Sequence, residues 1–200
     1  MTVFKKNQKD YISSNFSDLK LCGQEINSIS FEDCTFKGCD FSETLFKDCK
    51  FIECHFVQCN LSVSKLNLCK FSEVGFEDCK VIGVDWTRVA WPNIALFSPI
   101  KFYKCIINDS TFFGLSLNEI VIEECKAHDV DFREGSFCGA SFKFTDFANS
   151  LFNQTNLSGT DFSEAVNYQI DVNSNRIKGA KFSKYEAVNL LESLEIELID

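Results

Sequence analysis

An apolar residue at every fifth position constrains this chain more than any other feature. The series starts at Phe16, shifts by one residue near Phe102 and ends at Phe182, and 33 of its 34 positions are apolar. Eighteen of the 22 phenylalanines lie on it. A period of five fits neither a helix, at about 3.6 residues per turn, nor a strand, at about 2. It requires a corner every five residues and stacked coils paired as parallel β ladders about 4.8 Å apart.

Small residues recur two positions before the apolar ones, and nine of the 11 cysteines are among them. The chain has no Cys-x-x-Cys pair, and parallel thiols stacked one above another are poorly aimed for a disulfide. The spacing therefore predicts small buried core residues, as expected in a reducing cytosol. Cys22 and Cys138 lie off the pattern and are expected to be exposed.

Several five-residue units read small, polar, large apolar, polar, polar, as at residues 39–43 (CDFSE), 155–159 (TNLSG) and 160–164 (TDFSE). In this the sequence resembles the pentapeptide-repeat family over residues 14–182. The resemblance implies an all-β fold, a right-handed quadrilateral parallel β-helix. Thirty-four inward positions would fill about eight and a half coils, a rod roughly 40 Å long.

We expect one domain with three parts. Residues 1–13 form an N-terminal leader or cap, residues 14–182 form the β-helix with a one-residue slip near 97–101, and residues 183–200 form a short helix and strand. Ser183 and Glu186 have the spacing of a capping box. The tail either shields the last coil or joins two chains, and its resemblance to the tails of Qnr and MfpA proteins implies a homodimer. The interface candidates are Val188, Leu191, Leu194, Ile196 and Leu198.

The charge of −9 is uneven, with −2 in residues 1–100 and −7 in residues 101–200. An acidic chain is not expected to bind nucleic acid directly, because such binding relies on basic side chains that neutralise phosphates. No apolar run reaches the roughly 20 residues of a membrane span, and the first residues do not read as a secretory signal. His55 and His128 fall on outward positions, and no nucleophile, phosphate-loop or zinc motif is present. The sequence therefore predicts a cytoplasmic protein with no catalytic residue, cofactor or metal.

Outward carboxylates twenty residues apart should stack in columns, which either keep the rod in solution or imitate a phosphate backbone. The candidates are Asp33, Glu53 and Glu73, then Asp109 and Asp129, then Asp131, Glu134 and Asp171. Within the family, the chain is similar in character to Qnr, MfpA, McbG and AlbG. That resemblance implies a DNA mimic that binds DNA gyrase or topoisomerase IV and protects it from quinolones or a peptide toxin. The alternative is a protein-interaction scaffold unrelated to topoisomerases. The single-residue slip leaves no room for the large surface loops of Qnr proteins.

Overall fold

The computed structural model describes residues 8–92, 98–194 and 196, apart from the side chain of Glu192. It is a parallel β solenoid of about eight turns, as the five-residue period predicts. Each five-residue unit forms one side of a coil, and successive coils pair at an offset of 20 residues, as in Phe36 with Phe56. We name the four sides faces A, B, C and D, in the order A, B, C, D along the chain.

Short strands form three of the faces, and single bridges form much of the rest. Face A carries β2 (Asn15–Ser17), β5 (Thr35–Lys37), β8 (His55–Val57), β11 (Val74–Glu77), β12 (Ile100–Tyr103), β13 (Val121–Glu123), β14 (Asp161–Phe162) and β15 (Lys181–Phe182). Face C carries β3 (Glu25–Asn27), β6 (Leu45–Lys47) and β9 (Lys65–Asn67), and face D carries β1 (Asp10–Ile12), β4 (Ser30–Glu32), β7 (Lys50–Ile52) and β10 (Lys70–Ser72). Face B is held by bridges such as those linking Lys20, Asp40, Asn60 and Lys80. Two 3-10 helices span Trp86–Arg88 and Glu186–Leu194.

The large apolar residues fill the centre of the rod and stack from coil to coil. On face A the ring centroids of Phe36 and Phe56 lie 4.7 Å apart, and those of Phe56 and Phe76 lie 4.9 Å apart. These separations match the spacing of paired strands, so ring stacking and backbone pairing share one repeat. Of the 34 periodic residues, 27 are described as buried and expose 5% or less of their surface.

The small inward residues also carry hydrogen bonds. Eight of the nine inward thiols donate to a carbonyl oxygen of the preceding coil; the Sγ of Cys59, for example, lies 3.3 Å from the oxygen of Phe36. Thr145 does the same with its hydroxyl, 2.8 Å from the oxygen of Ile122. The thiols therefore act as weak donors as well as small apolar groups. All eleven cysteines are free, and burial raises the pKa of Cys54 to about 12.

The register break is larger than the sequence predicts. Phe76 pairs with Phe102, an offset of 26, whereas Ala90 still sits over the preceding coil in the normal register. The pairing offset therefore grows by six residues between Ala90 and Ile100. The prediction of a one-residue slip near 97–101 was wrong, because a complete five-residue unit is added to the offset as well and does not disturb the period. Leu96, which the period placed in the core, lies outside the described residues.

Both ends of the rod also differ from expectation. β1 pairs with β4 and buries Tyr11, so the first coil begins before residue 14; residues 1–7 of the expected leader lie outside the described part. Near the other end, Phe152 pairs with Ile170 at an offset of 18. Tyr168 is buried in the place expected for Asn167, which is exposed, and Ile170 is buried in the place expected for Val172. This local shortening explains the one polar residue on the apolar series.

Candidate functional site

Acidic residues concentrate where the chain turns from one face to the next. We call these lines of turns edges, and name each by the two faces that it joins. The residue at the turn has a positive φ. In the described part of the chain 23 residues other than glycine have one; thirteen of them are Asp or Glu, and one, Lys104, is basic. Lysines occur instead on the faces, as Lys50 and Lys70 do on face D. The rod therefore presents negative charge along its edges.

The edge between faces D and A brings together Asp33, Glu53 and Glu73. All three are exposed, and the N–H groups of Asp33 and Glu53 donate to carbonyl oxygens of the next coil at 2.9 Å and 2.8 Å, which stacks the three turns one coil apart. They line one shallow groove together with His55 and Lys101. The Asp33 carboxylate accepts a hydrogen bond from the Ser13 hydroxyl at 2.7 Å. Among the described residues, none of the three carboxylates has a cationic group within 4.0 Å.

Asp109 and Asp129 also share an edge, the one between faces B and C. Both have a positive φ, at 57° and 56°, and both are exposed or nearly so. The N–H of Asp109 donates to the carbonyl oxygen of His128 at 3.0 Å, which sets the two turns side by side. This pair resembles the Asp33 series in its conformation, but it contains two carboxylates and not three.

The third predicted group is less uniform. Asp131, Glu134 and Asp171 lie on face C or its edge with face D, but Asp131 is neutralised by Arg133, whose guanidinium donates to both of its carboxylate oxygens at 2.9 Å and 2.8 Å. Partial burial opposes ionisation of Asp131, and the hydrogen bonds and charge of Arg133 outweigh it, so its pKa lies below the usual range. Asp171 accepts from the N–H of Asn173 at 2.8 Å, and this bond lowers its pKa.

A half-buried hydrogen bond between His128 and Asp146 was not predicted from the sequence. The ring Nε2 of His128 lies 2.8 Å from the Asp146 carboxylate, which also accepts from the side chain of Asn167 at 2.8 Å. Partial burial opposes ionisation of Asp146, but these hydrogen bonds outweigh it and lower its pKa. An offset of 18 residues joins outward positions of adjacent coils, so the solenoid register could have indicated this pair.

The carboxyl-terminal candidates lie on and after the second 3-10 helix. Leu190 packs against the core, Leu191 is half-buried, and Val188, Leu194 and Ile196 expose 45%, 45% and 52% of their surface. Leu198 and the expected terminal strand fall outside the described residues, apart from Ile196, which is in no strand.

The capping box predicted from Ser183 and Glu186 does not form. The Ser183 hydroxyl accepts from the N–H of Glu164 at 2.7 Å, and the Glu186 carboxylate accepts from the N–H of Asn167 at 3.4 Å. Both side chains therefore tie the tail to the last coil.

In the described part of the chain, no group of three or more His, Cys, Asp or Glu side chains is placed to hold a metal ion. None of the helices in that part is both long enough and apolar enough to span a bilayer.

Comparison with known proteins gives a family and a set of similar folds. The family model described as "Pentapeptide repeat region" matches residues 29–97 and 84–162. Two solved structures of trypsin-treated QnrB1, described as a plasmid-mediated fluoroquinolone resistance protein, align with TM-scores of 0.65 and 0.61 at 20% and 19% identity. They cover 93% and 96% of this chain, and 100% of each QnrB1 chain is aligned. Full-length QnrB1 aligns with a TM-score of 0.55 at 18% identity, over 94% of this chain and 100% of its own. No curated protein matches the sequence.

Proposed function

Because the chain belongs to the pentapeptide-repeat family, we propose that it is a non-enzymatic binding protein that occupies the DNA-binding surface of a type II topoisomerase, DNA gyrase or topoisomerase IV. The observation that carries the proposal is the placement of carboxylates along the edges of the rod. Stacked turns repeat every coil, about 4.8 Å, while each DNA strand carries one phosphate per roughly 3.4 Å of axis. A line of carboxylates that repeats about every 4.8 Å is close enough to the phosphate spacing to bind a basic surface that normally binds a DNA duplex.

The edge between faces D and A is the strongest contact candidate. Asp33, Glu53 and Glu73 are free of ion pairs among the described residues, so their charge is available to a partner. Asp131, by contrast, already has Arg133 at 2.8 Å. Protection of gyrase from a quinolone or a peptide toxin would follow if the rod displaced DNA from a poisoned complex. The same negative edges would disfavour direct binding of nucleic acid.

The test is gyrase supercoiling in the presence of a fluoroquinolone, with the purified protein titrated in. Recovery of supercoiling at equimolar protein or below would support topoisomerase protection. Inhibition without recovery would keep the mimicry and remove the quinolone role. No effect on gyrase or on topoisomerase IV would contradict the proposal and favour a scaffold function unrelated to these enzymes.

A pair of double variants tests the edge itself. Glu53→Gln with Glu73→Gln should weaken gyrase binding about tenfold and flatten its salt dependence, because two free charges are lost. Asp131→Asn with Asp161→Asn changes the net charge by the same amount, but at carboxylates paired with Arg133 and Lys181. Equal weakening by both pairs would show that total charge, and not the edge, decides binding.

We also propose that the protein works as a cytoplasmic homodimer. Free, buried thiols suit a reducing compartment. Val188, Leu194 and Ile196 expose apolar surface at the end of the rod, where a second copy could cover it. Charged residues in place of Leu191 and Leu194 should then give monomers in sedimentation velocity, and an unchanged mass would contradict the interface.

A further inference from the structure

Three residues at the turns are large and apolar: Val63, Leu68 and Phe144. Each has a positive φ, at 58°, 55° and 56°, a conformation that is strained for branched or bulky side chains. Each also exposes more than half of its surface, 54%, 58% and 57% respectively. Backbone strain costs stability, and an apolar side chain that stays exposed returns little of it, so such residues point to a role outside folding.

The neighbours on the same edge separate Phe144 from the other two. The N–H of Glu124 donates to the carbonyl oxygen of Lys143 at 3.0 Å, and the N–H of Phe144 donates to that of Ser163 at 3.1 Å. These bonds stack Glu124, Phe144 and Glu164 one coil apart along the edge between faces A and B. An exposed aromatic ring therefore stands between two exposed carboxylates. The Glu124 carboxylate has the Lys104 ammonium at 3.8 Å, and the Glu164 carboxylate accepts a hydrogen bond from the Ser183 hydroxyl at 3.1 Å.

Leu68 and Val63 lack this setting. Leu68 lies one coil after Asp48, and its N–H donates to the carbonyl oxygen of Arg88, the last residue of the first 3-10 helix, at 2.9 Å. Val63 stands between Glu43 and Gly83. Both are aliphatic, and leucine and valine are under-represented among residues that dominate binding energy, whereas aromatic residues are common there.

The ring of Phe144 also has no aromatic or cationic partner among the described residues, whereas that of Phe113, which is 41% exposed, has the guanidinium of Arg133 at 5.9 Å from its centroid. Eighteen phenylalanines follow the inward period, and Phe144 does not. Its ring is therefore available to another molecule in a way that the rings of the other described phenylalanines are not.

We propose that Phe144 is the aromatic anchor of the interface with the topoisomerase, inserting into an apolar pocket whose rim carries Arg or Lys side chains. The inference rests on the proposed function, since it names a contact for that same partner. Desolvation of the ring supplies affinity at the centre of the contact. Glu164, which has no ion pair among the described residues, meets the basic rim on one side, and Glu124 meets it on the other by exchanging Lys104 for a partner cation. Basic side chains can also pack on the face of the ring.

The test replaces the ring without straining the backbone. Asparagine tolerates a positive φ, so Phe144→Asn should leave Tm unchanged or raise it by up to about 3 °C. The same variant should weaken binding to DNA gyrase, measured by isothermal titration calorimetry, by about 30-fold. Leu68→Asn is the matched control; it has the same conformation and similar exposure on another edge, and it should bind within about twofold of the unchanged protein.

Each outcome bears on the anchor. If Phe144→Asn binds gyrase as tightly as the unchanged protein, the anchor is wrong while the proposed function stands. If the unchanged protein does not bind gyrase, the proposed function fails and the contact fails with it. Phe144→Gly also accepts a positive φ. A Tm lowered by more than about 5 °C in both Phe144→Asn and Phe144→Gly would show that the ring stabilises the fold, and would also overturn the anchor.

Discussion

The two halves of the rod share one core but differ in how their charges are arranged. Residues 101–200 hold most of the net negative charge, −7 against −2 for residues 1–100. Yet four of the five ion pairs that Lys and Arg form among the described residues lie in that second half, as does the His128–Asp146 contact, and Arg88 with Asp85 is the pair in the first. The free carboxylates of Asp33, Glu53 and Glu73 therefore belong to the half with the smaller net charge. The net charge of a half therefore does not show where unpaired carboxylates lie; the ion pairs of the individual side chains do.

The small inward positions differ as well. Seven of the nine inward cysteines lie before residue 100, while Ser, Thr and Ala fill most of these positions after Cys125. Equivalent carbonyl oxygens therefore accept hydrogen bonds mostly from weak thiol donors in the first half and from stronger hydroxyl donors in the second. The large inward positions, by contrast, are alike throughout.

Truncating one phenylalanine in each half tests that likeness, and it should have the largest effect. Phe46 is 2% exposed with Phe41 and Phe51 at 5.5 Å and 5.6 Å, and Phe142 is fully buried with Phe147 and Phe162 at 5.2 Å. Phe46→Ala and Phe142→Ala should each lower the free energy of unfolding by about 3–5 kcal/mol, because a large cavity opens in a narrow core. Equilibrium urea denaturation measures both. A loss under about 1 kcal/mol at either site would mean that its ring is not in the core.

Removing one inward donor from each half tests the difference between thiol and hydroxyl. Thr145 donates to Ile122 O at 2.8 Å and accepts from the N–H of Cys125 at 3.2 Å, and Cys79 makes the equivalent contacts, both at 3.3 Å. Thr145→Val should cost about 2 kcal/mol, because two buried backbone groups lose a good partner. Cys79→Val should cost about 1 kcal/mol or less, because a thiol is a weak donor.

Valine fits this kind of position, since Val74 and Val84 already occupy it and are buried. Steric misfit is therefore not expected to dominate either variant. Equal losses for Thr145→Val and Cys79→Val in urea denaturation would show that the two halves do not differ at these positions.

The fold could be predicted from the sequence because every five-residue unit has the same pattern: a small buried residue, a large apolar residue and a turn. The six extra residues between Ala90 and Ile100 could not be predicted. A complete five-residue unit such as the one around Leu96 can be added to the offset without changing the five-residue period. The apolar series in the sequence therefore shifts by only one residue, while the offset between paired coils rises by six. With six extra residues rather than one, the size of the register break no longer argues against a loop there.

The candidate surface was predictable in part. The 20-residue repeat is enough to place Asp33, Glu53 and Glu73 on one edge. It does not show that Arg133 neutralises Asp131, because that depends on side-chain conformation and not on register. Nor does it show that Phe144 is strained, because an apolar residue at an outward position has no local signature of its φ.

Acid titration tests the charge difference between the halves and should give the smallest effect. The pKa values of Asp131 and Asp146 lie below the usual range in the folded protein. Their contribution to stability is therefore complete above the unfolded value of about 3.9 and is lost as the pH falls through the lower folded values. Asp131→Asn with Asp146→Asn should reduce the loss of stability between pH 6 and pH 2 by about 0.5 kcal/mol per pair, as for exposed ion pairs.

Glu53→Gln with Glu73→Gln is the control from the other half. These carboxylates have no ion pair among the described residues, so we expect this variant to follow the unchanged protein in urea denaturation at both pH values. The opposite result would be a smaller loss of stability on acidification in Glu53→Gln with Glu73→Gln, and an unchanged loss in Asp131→Asn with Asp146→Asn. It would mean that the stabilising carboxylates are those of the edge and not those of the second half. The edge would then be a stabilising element of the rod, and its charge would not be available to a partner.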